Sequence, residues 1–122
     1  MDNEIRIELE VFWGNSKDVA TEILAIFNKM SCATEYDESQ EMLSVKFNYQ
    51  CQTLESCFTL IMESFSKELA KLKKLFQSCS LIRFDVVIYS DDGRPEIFLN
   101  KDIVHWMSEL YADISIDLYA YQ

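Results

Sequence analysis

The chain has 122 residues, of which 49% are hydrophobic, and its 21 acidic and 11 basic side chains give a net charge of −10. This length suits one domain, residues 1–122, because a chain of this size buries most of the surface that it exposes when unfolded. The charge makes nucleic acid and anionic membranes poor partners, since both need a positive protein surface. No stretch reaches the run of about 18 apolar residues that a membrane helix requires.

The N-terminus and the cysteines predict a cytoplasmic protein. Met1-Asp2-Asn3-Glu4 has neither the basic region nor the apolar segment of a secretory signal. No cysteine pair has Cys-x-x-Cys spacing, and the single histidine cannot complete a zinc site, so we predict no metal and no cofactor. We interpret the cysteines as thiols in a reducing compartment; they are Cys32, Cys51, Cys57 and Cys79.

The first half of the chain predicts two strands and two helices. Apolar residues alternate with polar ones over residues 5–13 and again over 43–49, which indicates two half-buried strands. Ser16 is placed to cap a helix whose apolar stripe runs from 19 to 30. Residues 32–40 are polar and acidic and predict a loop. The apolar stripe from Leu54 to Phe76 predicts one helix of roughly 24 residues.

The second half predicts three strands and one helix. Residues 82–89 alternate as a strand, Asp91 to Pro95 predicts a turn, and Ile97 to Leu99 can return as a short hairpin strand. Asn100 is placed to cap a helix with apolar residues at 103, 107 and 110. Beyond Asp113 the period falls to two, which indicates a closing strand.

The element order is therefore β-α-β-α-β-β-α-β. Each long strand has one apolar and one polar face, so the helices should cover a single side of the sheet. We predict an α+β fold, a two-layer sandwich in which three helices lie on one face of a mixed sheet.

Candidate catalytic residues are few. His105 is the single histidine, and no serine or cysteine is tied to it by spacing, so a surface or boundary position is expected. Asp91-Asp92 precedes a glycine in a turn, where aspartate is favoured for local hydrogen bonds. Two isolated glycines cannot form a phosphate-binding loop. Acids on a flat sheet offer little of the cleft that glycosidases use, and we predict that the chain is not an enzyme.

The polar face of the sheet is the better candidate for function. Acids mixed with aromatic side chains are typical of protein-binding surfaces, where aromatic anchors hold most of the affinity. An ordinary solvated sheet face is the alternative, because tyrosine is common in strands for its propensity alone. The residues predicted to bind a partner are Glu8, Glu10, Phe12, Asp85, Tyr89, Asp117, Tyr119 and Tyr121.

The C-terminal stretch resembles the signature of a small bacterial family. The matching segments are residues 95–99 (Pro-Glu-Ile-Phe-Leu), 101–110 (Lys-Asp-Ile-Val-His-Trp-Met-Ser-Glu-Leu) and 112–119 (Ala-Asp-Ile-Ser-Ile-Asp-Leu-Tyr). Members of that family are domains of unknown function, and some occur as immunity proteins in polymorphic-toxin and contact-dependent-inhibition loci. The resemblance implies a cytosolic antidote that neutralises a cognate toxin domain, such as a basic nuclease.

Two alternatives from other classes stay open. One is a small-molecule-binding or regulatory α+β domain, which could be a homodimer and which a defined apolar pocket would favour. The other is a structural or adaptor subunit, which would associate with itself through a large apolar surface.

Overall fold

A computed structural model describes residues 4–30, 32–91 and 97–120. It has the α+β fold that the sequence predicts, with a mixed sheet. Of the helices that it describes, none combines the length and the hydrophobicity needed to cross a bilayer. The elements are β1 (Glu4–Phe12), α1 (Lys17–Phe27), β2 (Cys32–Asp37), β3 (Met42–Phe47), α2 (Leu54–Phe65), α3 (Leu69–Phe76), β4 (Leu81–Ser90), α4 (Lys101–Glu109) and β5 (Ala112–Ala120).

The five strands form one sheet in the order β2-β3-β1-β4-β5. The first strand of the chain, β1, is central and pairs antiparallel with β3 on one side and with β4 on the other. Strand β5 pairs parallel to β4. A parallel pair needs a crossover connection, and here α4 lies between the two strands in sequence.

The core lies against one face of the sheet. Alternate residues of β1 and β4, such as Leu9 and Phe84, are fully buried, and the buried side chains of all four helices belong to the same cluster. Aromatic rings join its layers: Trp106 of α4 lies 5.3 Å from Phe65 of α2 and 5.5 Å from Phe84, centroid to centroid. Tilted pairs at this distance are stabilising. This packing leaves the second face of the sheet for polar side chains.

Two of the helices carry a side-chain cap at their N-terminus. The Asn100 Oδ1 atom accepts from the amide of Ile103 at 2.9 Å, which confirms the cap predicted for α4. Thr53 caps α2 in the same way, by accepting from the amide of Ser56. Ser16 stands at the start of α1 but makes no cap; its hydroxyl donates to the Ser78 carbonyl at 3.3 Å.

The loop predicted at residues 32–40 is wrong for its first six residues, which form β2. They pair antiparallel with β3, in a register that sets Thr34 opposite Val45. Strand β2 lies at the edge of the sheet, so it is half exposed and can be polar. Tyr36 stacks on Trp13 with 4.8 Å between the ring centroids and anchors the strand.

The single long helix predicted from Leu54 to Phe76 is also wrong, because the structure has two helices there. Helix α2 ends at Phe65, and the Ser66 amide donates to the Glu63 carbonyl, three residues back instead of four. The Ser66 hydroxyl also donates to that carbonyl, which helps to end the helix. The chain restarts as α3 at Leu69, so four helices replace the predicted three.

The hairpin strand predicted at Ile97 to Leu99 does not form, since these residues belong to no strand. Of the predicted turn that precedes them, Asp91 is a bend, and residues 92–96 lie outside the described residues. The observed order is therefore β-α-β-β-α-α-β-α-β. The sheet still has five strands because β2 takes the place of the predicted hairpin strand.

Candidate functional site

The face of the sheet opposite the core carries polar and aromatic side chains, and we call it the open face. Alternation along each strand sends one residue to the core and the next to this face. The registers align these residues in rows across the sheet. On the three strands β1, β4 and β5 they are Glu4, Arg6, Glu8, Glu10 and Phe12, then Leu81, Arg83, Asp85, Val87 and Tyr89, then Asp113, Ser115, Asp117 and Tyr119.

The structure brings together the residues predicted to bind a partner, as far as it describes them. Glu8 lies directly opposite Asp85 in the β1–β4 pair, and Tyr119 lies beside Tyr89 in the β4–β5 pair. Tyr121 lies outside the described residues. Whether these side chains contact a partner stays a prediction.

The open face is strongly acidic. Strands β2 and β3 add Glu35, Asp37 and Lys46 to it. Among the described residues, eight acids and three bases then share the face, an excess of five negative charges when all are ionised. About half of the net charge of the chain is therefore concentrated on one face, where it can attract a basic partner.

A charged cluster occupies the centre of this face. The Arg83 guanidinium donates to the Glu10 carboxylate from Nε at 3.0 Å and from Nη2 at 2.8 Å. The same Nε atom lies 3.4 Å from Asp85 Oδ1, so one cation serves two carboxyl groups. The Glu10 side chain is 13% exposed, which makes it the most buried charged group in this cluster. An arginine held in this way is fixed in position and presents little free charge to a partner.

Asp85 and Glu10 are hydrogen-bonded to each other, and their pKa values move apart. Burial, followed by the hydrogen bond and charge of Glu10, raises the pKa of Asp85 to about 7. For Glu10, burial opposes ionisation, but hydrogen bonds from Asp85 and Arg83 outweigh it and lower the pKa. The pair therefore holds one proton at pH values below about 7, and Asp85 is the group that carries it.

The arrangement of this charged cluster does not fit a glycosidase site. Such enzymes keep their two carboxyl groups roughly 5 Å or more apart so that the sugar or a water can lie between them. Here the Arg83 Nε atom lies 3.0 Å from the Glu10 carboxylate and 3.4 Å from Asp85 Oδ1, so a cation of the protein stands where a glycosidase would hold the sugar or the water. The cluster is better suited to structure and to electrostatics than to acid–base chemistry on a sugar.

Aromatic rings flank the charged cluster at both ends. Tyr89 and Tyr119 stack with 5.4 Å between centroids and 25° between planes, and Tyr119 is 51% exposed. The Arg6 guanidinium lies 5.3 Å from the centre of the Tyr89 ring, and that of Arg83 lies 5.8 Å from the Phe12 ring. Both distances are within the range of cation–π attraction. The stacked tyrosine pair, in which Tyr119 is exposed and Tyr89 is half-buried, is therefore a pre-ordered aromatic patch beside an acidic centre.

A groove of about 790 Å³ opens where β1 extends beyond the end of β3. Residues 48–52 form its far wall, and Arg6 and Lys46 contribute cations. Its acidic lining comes from Glu4, Glu8, Asp85 and Asp117. Glu4 is paired with Arg6 at 3.0 Å, whereas Glu8 and Asp117 have no ion pair among the described residues. These two carboxylates are available to a cation from outside.

The other reactive groups do not converge on a site. His105 is 76% exposed on α4, where its Nε2 atom lies 3.1 Å from Glu109, so the surface position predicted for it is confirmed. Burial raises the pKa of the Cys57 thiol to about 12 and that of Cys79 to about 11, which leaves both protonated and poorly nucleophilic. The described part of the chain contains no group of three or more side chains placed to hold a metal ion.

Sequence reasoning left several members of the open face out of the predicted site. Arg83 lies two residues before Asp85 on β4, and alternation along a strand sends both side chains to the same face. Its place on the open face could therefore have been predicted. The place of Glu35 could not, because the sequence predicts a loop for its segment. Ser44 is buried and lies opposite Glu10, a position that depends on the register between β1 and β3.

Comparison with known proteins gives one match. The sequence profile of a family described as a domain of unknown function, DUF4279, matches residues 8–121. The match covers nearly the whole chain and is not limited to the C-terminal stretch that carries the resemblance described above. No curated protein and no solved structure shows significant similarity to the chain. The family description contains nothing that refers to immunity or toxins.

Proposed function

We propose that this chain, which belongs to the DUF4279 family of domains of unknown function, binds a basic protein partner through the open face of its sheet. The observation that carries the proposal is the combination found there: a net excess of acids around a stacked tyrosine pair whose Tyr119 ring is exposed. In this proposal the chain acts by occupying its partner and makes or breaks no covalent bond.

The charge of the face supports a basic partner. Opposite charges across an interface speed the encounter and fix its register. In the charged cluster the single cation, Arg83, already serves Glu10 and Asp85. The acids that remain available lie towards the groove, at Glu8 and Asp117. A lysine or arginine side chain of the partner could enter the groove between them.

The tyrosines support a protein rather than a small cation as the partner. Tyrosine supplies a large contact area with few rotatable bonds, and it is enriched among the residues that dominate binding energy. The stack on Tyr89 holds the Tyr119 ring in place before binding, so little side-chain entropy remains to be lost. The patch and the groove together offer both an anchor and a charge pair.

The resemblance to a family that includes immunity proteins supports a particular partner. In this form of the proposal the partner is a cognate toxin domain, such as a nuclease, which this chain binds in the cytoplasm. A nuclease binds phosphates with a basic cleft, and an acidic face can occupy that cleft in their place. The free thiols of Cys32, Cys51, Cys57 and Cys79 are compatible with a reducing compartment.

The groove favours a second candidate, a small-molecule-binding domain. Its volume of about 790 Å³ lies within the roughly 300–1,000 Å³ of ligand sites. Its lining has four acids against two bases, so a polar, cationic molecule would fit it best. A shift in melting temperature on adding such a molecule, in the absence of any protein partner, would favour this candidate.

Co-expression with the toxin domain tests the first candidate. The domain to test is the variable C-terminal domain of a large secreted protein encoded directly upstream, if there is one. It should be toxic alone and harmless when this chain is present. Toxicity that persists in the presence of the well-folded chain would contradict the proposal.

A pair of charge reversals locates the binding surface. The Glu8→Lys/Asp117→Lys variant should lose protection because it reverses both available acids of the groove. Glu22 on α1 and Glu63 on α2 are exposed acids outside the open face. The Glu22→Lys/Glu63→Lys variant has the same net charge and should still protect. Equal loss in both variants would show that total charge, and not this face, determines binding.

A further inference from the structure

Strand β5 forms an edge of the sheet with features that favour pairing with another strand. It contains nine residues, Ala112–Ala120, that pair with β4 on one side, and no described strand lies along its other side. Natural edge strands are commonly protected by proline, lysine, a bulge or short length. This strand is long and contains no proline, glycine or lysine. Leu118 and Tyr119 near its end are 45% and 51% exposed.

We infer that β5 pairs with β5 of a second copy of the chain, antiparallel across a two-fold axis, to form one ten-stranded sheet. The opposite edge of the sheet is less suited to this. Strand β2 has six residues against the nine of β5, so a pair formed at that edge would make fewer backbone hydrogen bonds. The inference concerns the edge of the sheet and does not depend on the proposed function of the open face.

The side chains of β5 select one register for this pair. In an antiparallel pair, residues directly opposite each other point to the same face of the sheet. The open-face residues of β5 have odd numbers in both copies, so each odd-numbered residue must lie opposite another odd-numbered one. One residue therefore lies opposite its own copy, and the two-fold axis passes between these two. An axis at Ile116 aligns all nine residues and sets Ser115 opposite Asp117 of the second copy. An axis at Ser115 would set Asp113 opposite Asp117, and an axis at Asp117 would set that acid opposite itself. Like charges in this position are destabilising.

The selected register also covers the exposed apolar surface. On the core face, Leu118 of each copy lies opposite Ile114 of the other, and both are apolar. On the open face, Tyr119 lies opposite Asp113. Cross-strand pairs of apolar side chains stabilise a sheet. The two open faces become continuous, so that the dimer presents two copies of the acidic and aromatic surface side by side.

The charge of the chain predicts how dimerisation responds to salt. Each copy carries a charge of −10, and Asp117 of one copy lies diagonal to Asp117 of the other in this register. Added salt screens this repulsion, so the dimer should become tighter as ionic strength rises. Binding of a basic partner through the open face should weaken under the same change. The two kinds of association therefore respond to ionic strength in opposite directions, which distinguishes them.

Sedimentation velocity on the purified chain alone, from about 1 to 100 μM, tests the inference. We expect the mass to rise from 14.3 kDa towards twice that value, and further at higher salt. Ser115→Lys creates two charge pairs with Asp117 per dimer and should lower the dissociation constant roughly 2- to 30-fold. Ser115→Asp should raise it by a similar factor.

Ala33 provides the matched control, because it is also a small residue on the open face of an edge strand. Ala33→Lys and Ala33→Asp change the net charge equally but lie on β2. A chain that stays monomeric at every concentration and salt level would overturn the inference. So would a dimer on which the two Ser115 substitutions act no differently from the Ala33 substitutions, since that dimer would use another surface.

Discussion

The carboxyl group of Asp85 on β4 is hydrogen-bonded to the carboxylate of Glu10 on β1, at the centre of the open face. The two residues are not directly opposite each other, because the register sets Glu10 against Arg83 and Asp85 against Glu8. The diagonal contact lets Arg83 reach both carboxyl groups. One cation and one proton therefore hold two carboxyl groups together in the middle of an acidic surface.

Replacing Asp85 by asparagine should stabilise the protein, and more so as pH rises. The folded-state pKa of about 7 lies above the ordinary value of 3.8, so the folded protein binds the proton more tightly than the unfolded chain. The stability due to this proton is fully present below about pH 4 and is lost as pH rises through 7. The amide of the substituted side chain can still donate to Glu10 and has no proton to lose.

The measurement is urea unfolding of both proteins from pH 4 to pH 8. The advantage of Asp85→Asn should grow by about 1 kcal/mol over this range, a modest value because the Asp85 side chain is 35% exposed and solvent screens its charge. Asp117→Asn removes the same charge from the same face and serves as the control. A difference between wild type and Asp85→Asn that does not change with pH, or that changes no more than in the control, would show that Asp85 does not hold the proton.

Replacing Arg83 by methionine should destabilise the protein by about 1–2 kcal/mol, because Glu10 then loses both of its guanidinium hydrogen bonds. Lys17→Met removes the cation of the exposed pair with Glu38 and should cost less than about 0.5 kcal/mol. Chemical denaturation at pH 7 gives the loss in free energy of unfolding for each of the two variants. Equal small losses would mean that the charged cluster contributes no more than a surface ion pair.

The division of the sheet into two faces could be predicted from the sequence, because alternation along a strand is a local property. Alternation places Glu8 and Glu10 on one face of β1 and Asp85 and Tyr89 on one face of β4, and the observed registers agree. The hydrogen bond between Asp85 and Glu10 could not be predicted. It depends on how β1 is aligned with β4, and a shift of two residues would keep every side chain on its face while changing every neighbour.

The errors in the predicted elements have a common cause. The apolar stripe from Leu54 to Phe76 continues across the break at Ser66, so its period cannot show where one helix ends and the next begins. The segment Cys32–Asp37 is too polar to be recognised as a strand, and it forms one because β3 offers it an edge. In both cases the deciding contacts, those of the turn at Ser66 and those of the pairing with β3, leave no mark in the local pattern of apolar residues.

Replacing Glu41 by glycine should stabilise the protein by about 0.5–1 kcal/mol. Glu41 lies in the turn between β2 and β3 with a φ of 53°, where a side chain costs free energy and glycine does not. Its carbonyl accepts from the Trp13 amide at 3.1 Å, and this bond is kept in the variant. Thermal unfolding of the wild type and of the variant gives the difference in stability. Glu38→Gly, in the same turn, is not expected to stabilise; equal effects would show that the conformation of Glu41 is not the cause.

Replacing Tyr119 by alanine should weaken binding of the protein partner by about 2 kcal/mol or more, because an exposed, pre-ordered tyrosine beside available acids has the properties of a binding hot spot. Calorimetric titration with the co-expressed toxin domain measures the binding free energy of the wild type and of the variant. Tyr111→Ala is the control, since Tyr111 is 58% exposed but lies in the turn between α4 and β5. If both variants bind as tightly as the wild type, the tyrosine patch is an ordinary solvated surface and the partner binds elsewhere.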